Sequence, residues 1–217
     1  MSRVFEMNTQ VSYPLRPRQA LPLNAAAAQR GASLIMVMVI LTIVSMLGIA
    51  GIQVAMMSER GARNERDLQI AWQSAEAALL DAELDIYGPS TSARQSLFKP
   101  TTNLLAFVDS CGTTGNSQGL CSLAISGKPA WLAVDFTLTT GSSVATTAFG
   151  DFTLRSFSYG TAGIQPSKKP RYVVEPIRDQ GYRDLGDPEP HYVYRVTAMG
   201  FGPRDDIQAV MQMIYRD

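Results

Sequence analysis

Between Gly31 and Ser58 no residue is charged, and the stretch Leu34 to Met57 within it is almost wholly apolar. About twenty residues at 1.5 Å rise cross a hydrocarbon core of ~30 Å, so the run predicts a membrane-spanning helix. Its Leu, Ile and Val residues favour insertion by ~4–7 kcal/mol in total, less what Gly48, Gly51, Gln53 and the hydroxyls take back. Helical patterning then continues, because Glu59 to Ile86 holds no Pro and a single glycine, Gly61. In this outer part Leu68, Trp72, Ala75, Leu79, Ala82 and Ile86 alternate spacings of four and three, which predicts one apolar stripe. Arg60, Arg63, Glu65, Arg66, Asp67, Glu76, Asp81 and Asp85 are expected on the other faces, and Tyr87-Gly88-Pro89 ends the helix.

Beyond the helix, apolar and β-branched runs at 131–138, 152–159, 172–177, 192–198 and 207–215 predict strands separated by Gly/Pro turns. His191 to Ala198 alternates, and Gly200-Phe201-Gly202-Pro203-Arg204-Asp205-Asp206 joins it to the last strand as a hairpin. The stripe needs a cover, and one sheet face supplies it. The expected fold is α+β, a long N-terminal α-helix packed on an antiparallel β-sheet.

The 217 residues suit one domain plus extra segments, and 46% hydrophobic content supports a core after the membrane stretch is set aside. Nineteen basic and nineteen acidic residues cancel, so there is no long-range field to gather nucleic acid, which is not an expected partner. Before Gly31 stand Arg3, Arg16, Arg18 and Arg30 against Glu6, which keeps that flank cytoplasmic and sends the rest to the periplasm. The apolar run is too long for a secretory h-region of about 7–15 residues. Cys111 and Cys121 are too far apart for a CxxC motif, and a structural disulfide is expected over a redox pair, provided this segment reaches an oxidising compartment.

The junction Gln29-Arg30-Gly31-Ala32-Ser33-Leu34-Ile35 resembles the processing site of type IV prepilins. The stretch Arg30 to Glu83, including Ala71-Trp72-Gln73-Ser74-Ala75-Glu76-Ala77-Ala78-Leu79, is similar to the N-terminal region of PilX-type minor pilins. Tyr194 to Gly200 and Val210 to Arg216 resemble that family's closing strands. The resemblance implies a pilin-like fold with a leader at 1–31, a transmembrane half-helix at 32–58, an amphipathic half at 59–86 and a periplasmic head at 87–217. It implies cleavage after Gly31 by a prepilin peptidase, and a mature, N-methylated Ala32. Most major pilins carry Glu at the fifth mature position, whereas here it is Met36, which cannot pair with a neighbour's N-terminal amine.

The expected function is therefore that of a minor pilin. It enters the pilus and helps prime assembly in a tip or initiation complex, supporting adhesion and twitching motility. Its expected partners are other minor pilins, the major pilin and the inner-membrane assembly platform, with no cofactor or metal. Rival readings are a minor pseudopilin of type II secretion and an unprocessed, membrane-anchored periplasmic binding module. Translation starting at Met1 or at Met7 fits equally. Gly115-Asn116-Ser117-Gln118-Gly119 matches the GxSxG pattern with His191 downstream, but a nucleophile elbow needs a buried strand before the Ser and a helix after it. Lys168-Lys169-Pro170-Arg171 reads as a solvated turn, Asp205-Asp206 falls short of a calcium site, and Ser45, Gly48, Gly51 and Ala55 share a helical face fit for close approach.

Overall fold

The computed structural model describes residues 32–88, 93–99, 102–160, 164–181 and 190–216. The expected leader, residues 1–31, lies outside them, and Gly31 with it. The chain divides at Met56–Met57 into two units.

The helix α1 runs Ala32–Tyr87, and its residues up to Met56 form the first unit. They are bare: the large apolar side chains from Leu34 to Met57 are 51–73% exposed. An 18-residue window here has a mean hydropathy of 2.7, enough to cross a membrane by length and composition.

The second unit is an α+β head in which the remainder of α1 packs on a four-stranded antiparallel sheet. The strands are β1 (Thr147–Ala148), β2 (Arg171–Arg178), β3 (Tyr192–Phe201) and β4 (Gln208–Tyr215), in spatial order β1-β2-β3-β4. Pairing sets Val174 opposite Val196 and Val196 opposite Met213, so alternate residues share a face. On one face Tyr172, Val174, Tyr194, Val196 and Ala198 form the main core with Ala78, Leu79, Ala82 and Ile86 of α1. On the other face Val173 and Met199 are covered by Cys111, Cys121, Ala130 and Phe136. The β3–β4 hairpin closes through Gly202 N–H donating to the Ile207 carbonyl at 2.8 Å.

Three expectations need correction. Residues 131–138 are not a strand: Pro129 opens the one-turn helix α2 (Ala130–Ala133), and Phe136 beyond it packs onto the far face of the sheet. Residues 152–159 are irregular, because Gly150 and Leu154 take positive φ (82° and 59°) and fold the chain back, with Leu154 N–H donating to the Gly150 carbonyl at 3.0 Å. The buried stripe of α1 is rotated from the expected one at its start: Ala75, Leu79, Ala82 and Ile86 are buried as expected and are joined by Ala71, Ser74, Ala78, Asp81 and Asp85, whereas Trp72 is 45% exposed and Leu68 is half-buried against Ile207.

Gly200 explains the rotation. It lies on the helix-facing side of β3, two residues beyond Ala198, and a Cβ there would overlap the backbone of Ala71 and Ala75. The sheet meets the helix backbone directly at that point. Only small residues fit on the contact line, and Trp72, turned ~100° from Ala71, stays outside it.

Candidate assembly surface

Along the apolar half of α1 the large hydrophobic side chains are exposed one after another from Leu34 to Met57. Two of its hydroxyls are satisfied within the helix: Thr42 Oγ1 donates to the Val39 carbonyl at 2.8 Å and Ser45 Oγ to the Leu41 carbonyl at 2.7 Å. A surface of this kind is stable against lipid or against other apolar helices, and costly in water. Met36 belongs to it, and Ala32 is the first residue of the helix.

The outer half of α1 is fastened to the head by two buried carboxylates. Asp85 Oδ2 lies 3.2 Å from Arg94 Nε, both side chains fully buried, and accepts the Tyr172 hydroxyl at 2.9 Å. Arg94 Nη1 in turn donates to the Gln118 carbonyl at 2.9 Å, and its guanidinium stands 3.9 Å over the Phe152 ring. Burial pushes Asp85 up to about 6 against the opposing pull of Arg94. The Tyr172 hydroxyl, raised well above its usual range by burial, stays a donor. One turn earlier, Asp81 accepts Gly150 N–H at 2.8 Å and the Thr153 hydroxyl, with Arg155 at 3.7 Å. Burial raises Asp81 too, with the Gly150 and Thr153 contacts pulling the other way. These acids stand at positions i and i+4 on the same contact line as Ala78 and Ala82. Their helical register with those alanines was the available signal, and ranking charged residues as outward hid it.

Cys111 and Cys121 form a disulfide buried on the far face of the sheet beside Phe136 and Val173. The loop it closes is tied to β2, with Cys121 N–H donating to the Val174 carbonyl and Val174 N–H to the Gly119 carbonyl, both at 2.9 Å. Ser117 sits on a single 3-10 turn, Gly115–Ser117, inside this loop, which is no strand-to-helix elbow. His191 lies just before β3. Lys168 pairs with Asp205 at 3.0 Å and Arg204 with Asp206 at 2.9 Å, so both hairpin carboxylates face cations. Among the described residues no group of three or more His, Cys, Asp or Glu could hold a metal ion.

Two family models match the chain: the PilX N-terminal model over residues 30–80, and the C-terminal model of the type IV pilus assembly protein PilX over residues 110–217. The chain belongs to the PilX family of type IV pilus minor pilins. Searches of curated proteins and of solved structures returned no match. The N-terminal match includes the uncovered apolar half of α1 and most of the residues that pack on the sheet. The C-terminal match begins just before Cys111 and takes in the disulfide loop and all four strands. The two matches thus take in the apolar half of α1 and the sheet of the head, in a family that is structural and not enzymatic.

Proposed function

We propose that this minor pilin is cut after Gly31, keeps its apolar helix for life, and uses that helix to bundle with other pilins as a priming subunit of the pilus. The observation that carries the reading is the exposed, uncharged surface from Leu34 to Met57 within the segment that matches the PilX N-terminal model. An ordinary secretory protein loses such a segment, whereas a pilin retains it for packing. The four arginines before Gly31 support a cytoplasmic N-terminus and a periplasmic head, and the Cys111–Cys121 disulfide fits an oxidising compartment.

Met36 supports a place at the growing tip. A subunit with no carboxylate at the fifth mature position has no charge that a neighbour must neutralise, so it can stand first in the bundle. Other minor pilins and the major pilin then assemble beneath it on the inner-membrane platform, giving fibres that serve adhesion and twitching. Deletion of the gene tests this: few or no surface pili are expected, restored by the intact chain but not by a Gly31→Arg chain. Normal piliation in the deletion strain overturns the priming role, and immunogold label spread evenly along the shaft overturns the tip position.

A further inference from the structure

A cavity of about 440 Å³ opens in the head beside the start of β2, and Gln118 of the disulfide-closed loop contributes to its wall. Arg171, Lys168 and Lys169 line it against a single carboxylate, Asp151. Arg171, at the start of β2, is only 5% exposed. Its guanidinium is oriented by neutral acceptors: Nε donates to Thr146 Oγ1 at 2.5 Å and Nη2 to the Thr146 carbonyl at 2.7 Å. Among the described residues no carboxylate forms an ion pair with it. Asp151, the acid that acts on it electrostatically, already accepts Ala148 N–H at 3.0 Å. Asp151 is the one carboxylate set against the three cations of the lining, so the open cavity keeps an excess of positive charge that an anion can balance.

The rest of the lining indicates what brings that counter-ion. Lys169 Nζ makes one long contact, 3.4 Å to the Phe149 carbonyl, and stands 6.0 Å from the centre of the Tyr159 ring. Lys168 is offset by Asp205. The Tyr159 ring is half exposed at the wall, and the exposed Thr139 and Thr140 stand on the same lining. An oxyanion end for the cations, a flat ring for an apolar face, and hydroxyls for polar edges suit a small ring compound, and the volume is in the range of small-molecule sites. We propose that this cavity binds an anionic sugar unit, its carboxylate or phosphate toward Arg171 and Lys169 and its ring against Tyr159.

Titration calorimetry of the full chain in detergent micelles at low salt tests the site. Glucuronate, glucose 6-phosphate, inorganic phosphate and glucose serve as probes. The two charged sugars should bind more tightly than phosphate, glucose should give no heat, and rising salt should weaken binding. Lys169→Gln should weaken the charged sugars by about tenfold, the size of one charged contact, with an unchanged unfolding midpoint. Arg171→Gln should abolish binding, but because it also frees Thr146, the Lys169 variant decides. Binding confined to one charged sugar identifies the oxyanion as carboxylate or phosphate. Glucose binding equal to glucuronate, phosphate as tight as the sugars, or a Lys169→Gln chain with unaltered affinity overturns the proposal.

Discussion

At Asp85 two effects oppose each other, and their sizes decide what a substitution does. Removing the carboxylate from water disfavours its charge, Arg94 at 3.2 Å favours it, and burial wins, lifting Asp85 from 3.8 to about 6. That rise is worth ~3 kcal/mol in favour of the neutral form. The fold therefore prefers the protonated acid, so this contribution to stability is fully present below about pH 4 and is lost as pH climbs through 6. Asp81 is raised as well and acts in the same direction. Denaturant midpoints should accordingly rise as pH falls from 7 to about 5, and Asp85→Asn, which cannot ionise, should flatten that slope. Arg94→Met should behave differently, costing ~3–5 kcal/mol at pH 7, because it leaves a buried carboxylate with no countercharge. Urea unfolding across this pH range reads both, and a slope of the opposite sign would contradict the account.

Among the elements, the contact between α1 and β3 is set by the smallest side chains. A methyl at Gly200 has nowhere to go, since Ala71 and Ala75 present backbone rather than a side chain that can move. Gly200→Ala should cost about 1–3 kcal/mol, the range for overpacking. Trp72→Ala, by contrast, should stay within ~1 kcal/mol because the ring lies outside the core. The disulfide is a second fastening. Replacing Cys111 and Cys121 together by Ser should cost ~2–3 kcal/mol from loop entropy alone and lower the melting temperature. The long helix was legible from its uncharged run and helical spacing, β3 from alternation, and β2 and β4 from apolar and β-branched runs bounded by turn residues. The start of the helical stripe was not legible, although Ala75, Leu79, Ala82 and Ile86 were, since it depends on Gly200, about 130 residues away in sequence, and no local pattern encodes that approach. Nor was the layer from residue 109 to 160, where apolar residues pack from turns and a disulfide loop instead of from a periodic element. Phe136 is buried there without a strand to carry it, and Leu154 keeps its side chain outside at positive φ.

For the whole molecule the decisive fact is a division of labour along one helix. Its inner residues bury nothing within the chain and carry no charge, while its outer residues are held by Asp81, Asp85, Gly200 and a line of alanines. The sequence already separated these halves by charge, and the family match spans the junction between them. What composition could not reveal was the buried Arg171 cavity, because Lys168-Lys169-Pro170-Arg171 reads as a solvated turn until the fold buries its last residue. The central claim is that the apolar half is kept after trimming on its inner side and used for packing. Intact-mass and N-terminal analysis of the chain from sheared pili and from inner membranes tests it most directly. The account predicts a mature chain beginning at Ala32 with a methylated amine in the pilus fraction. Full-length chain alone, still carrying residues 1–31 in both fractions, would contradict it.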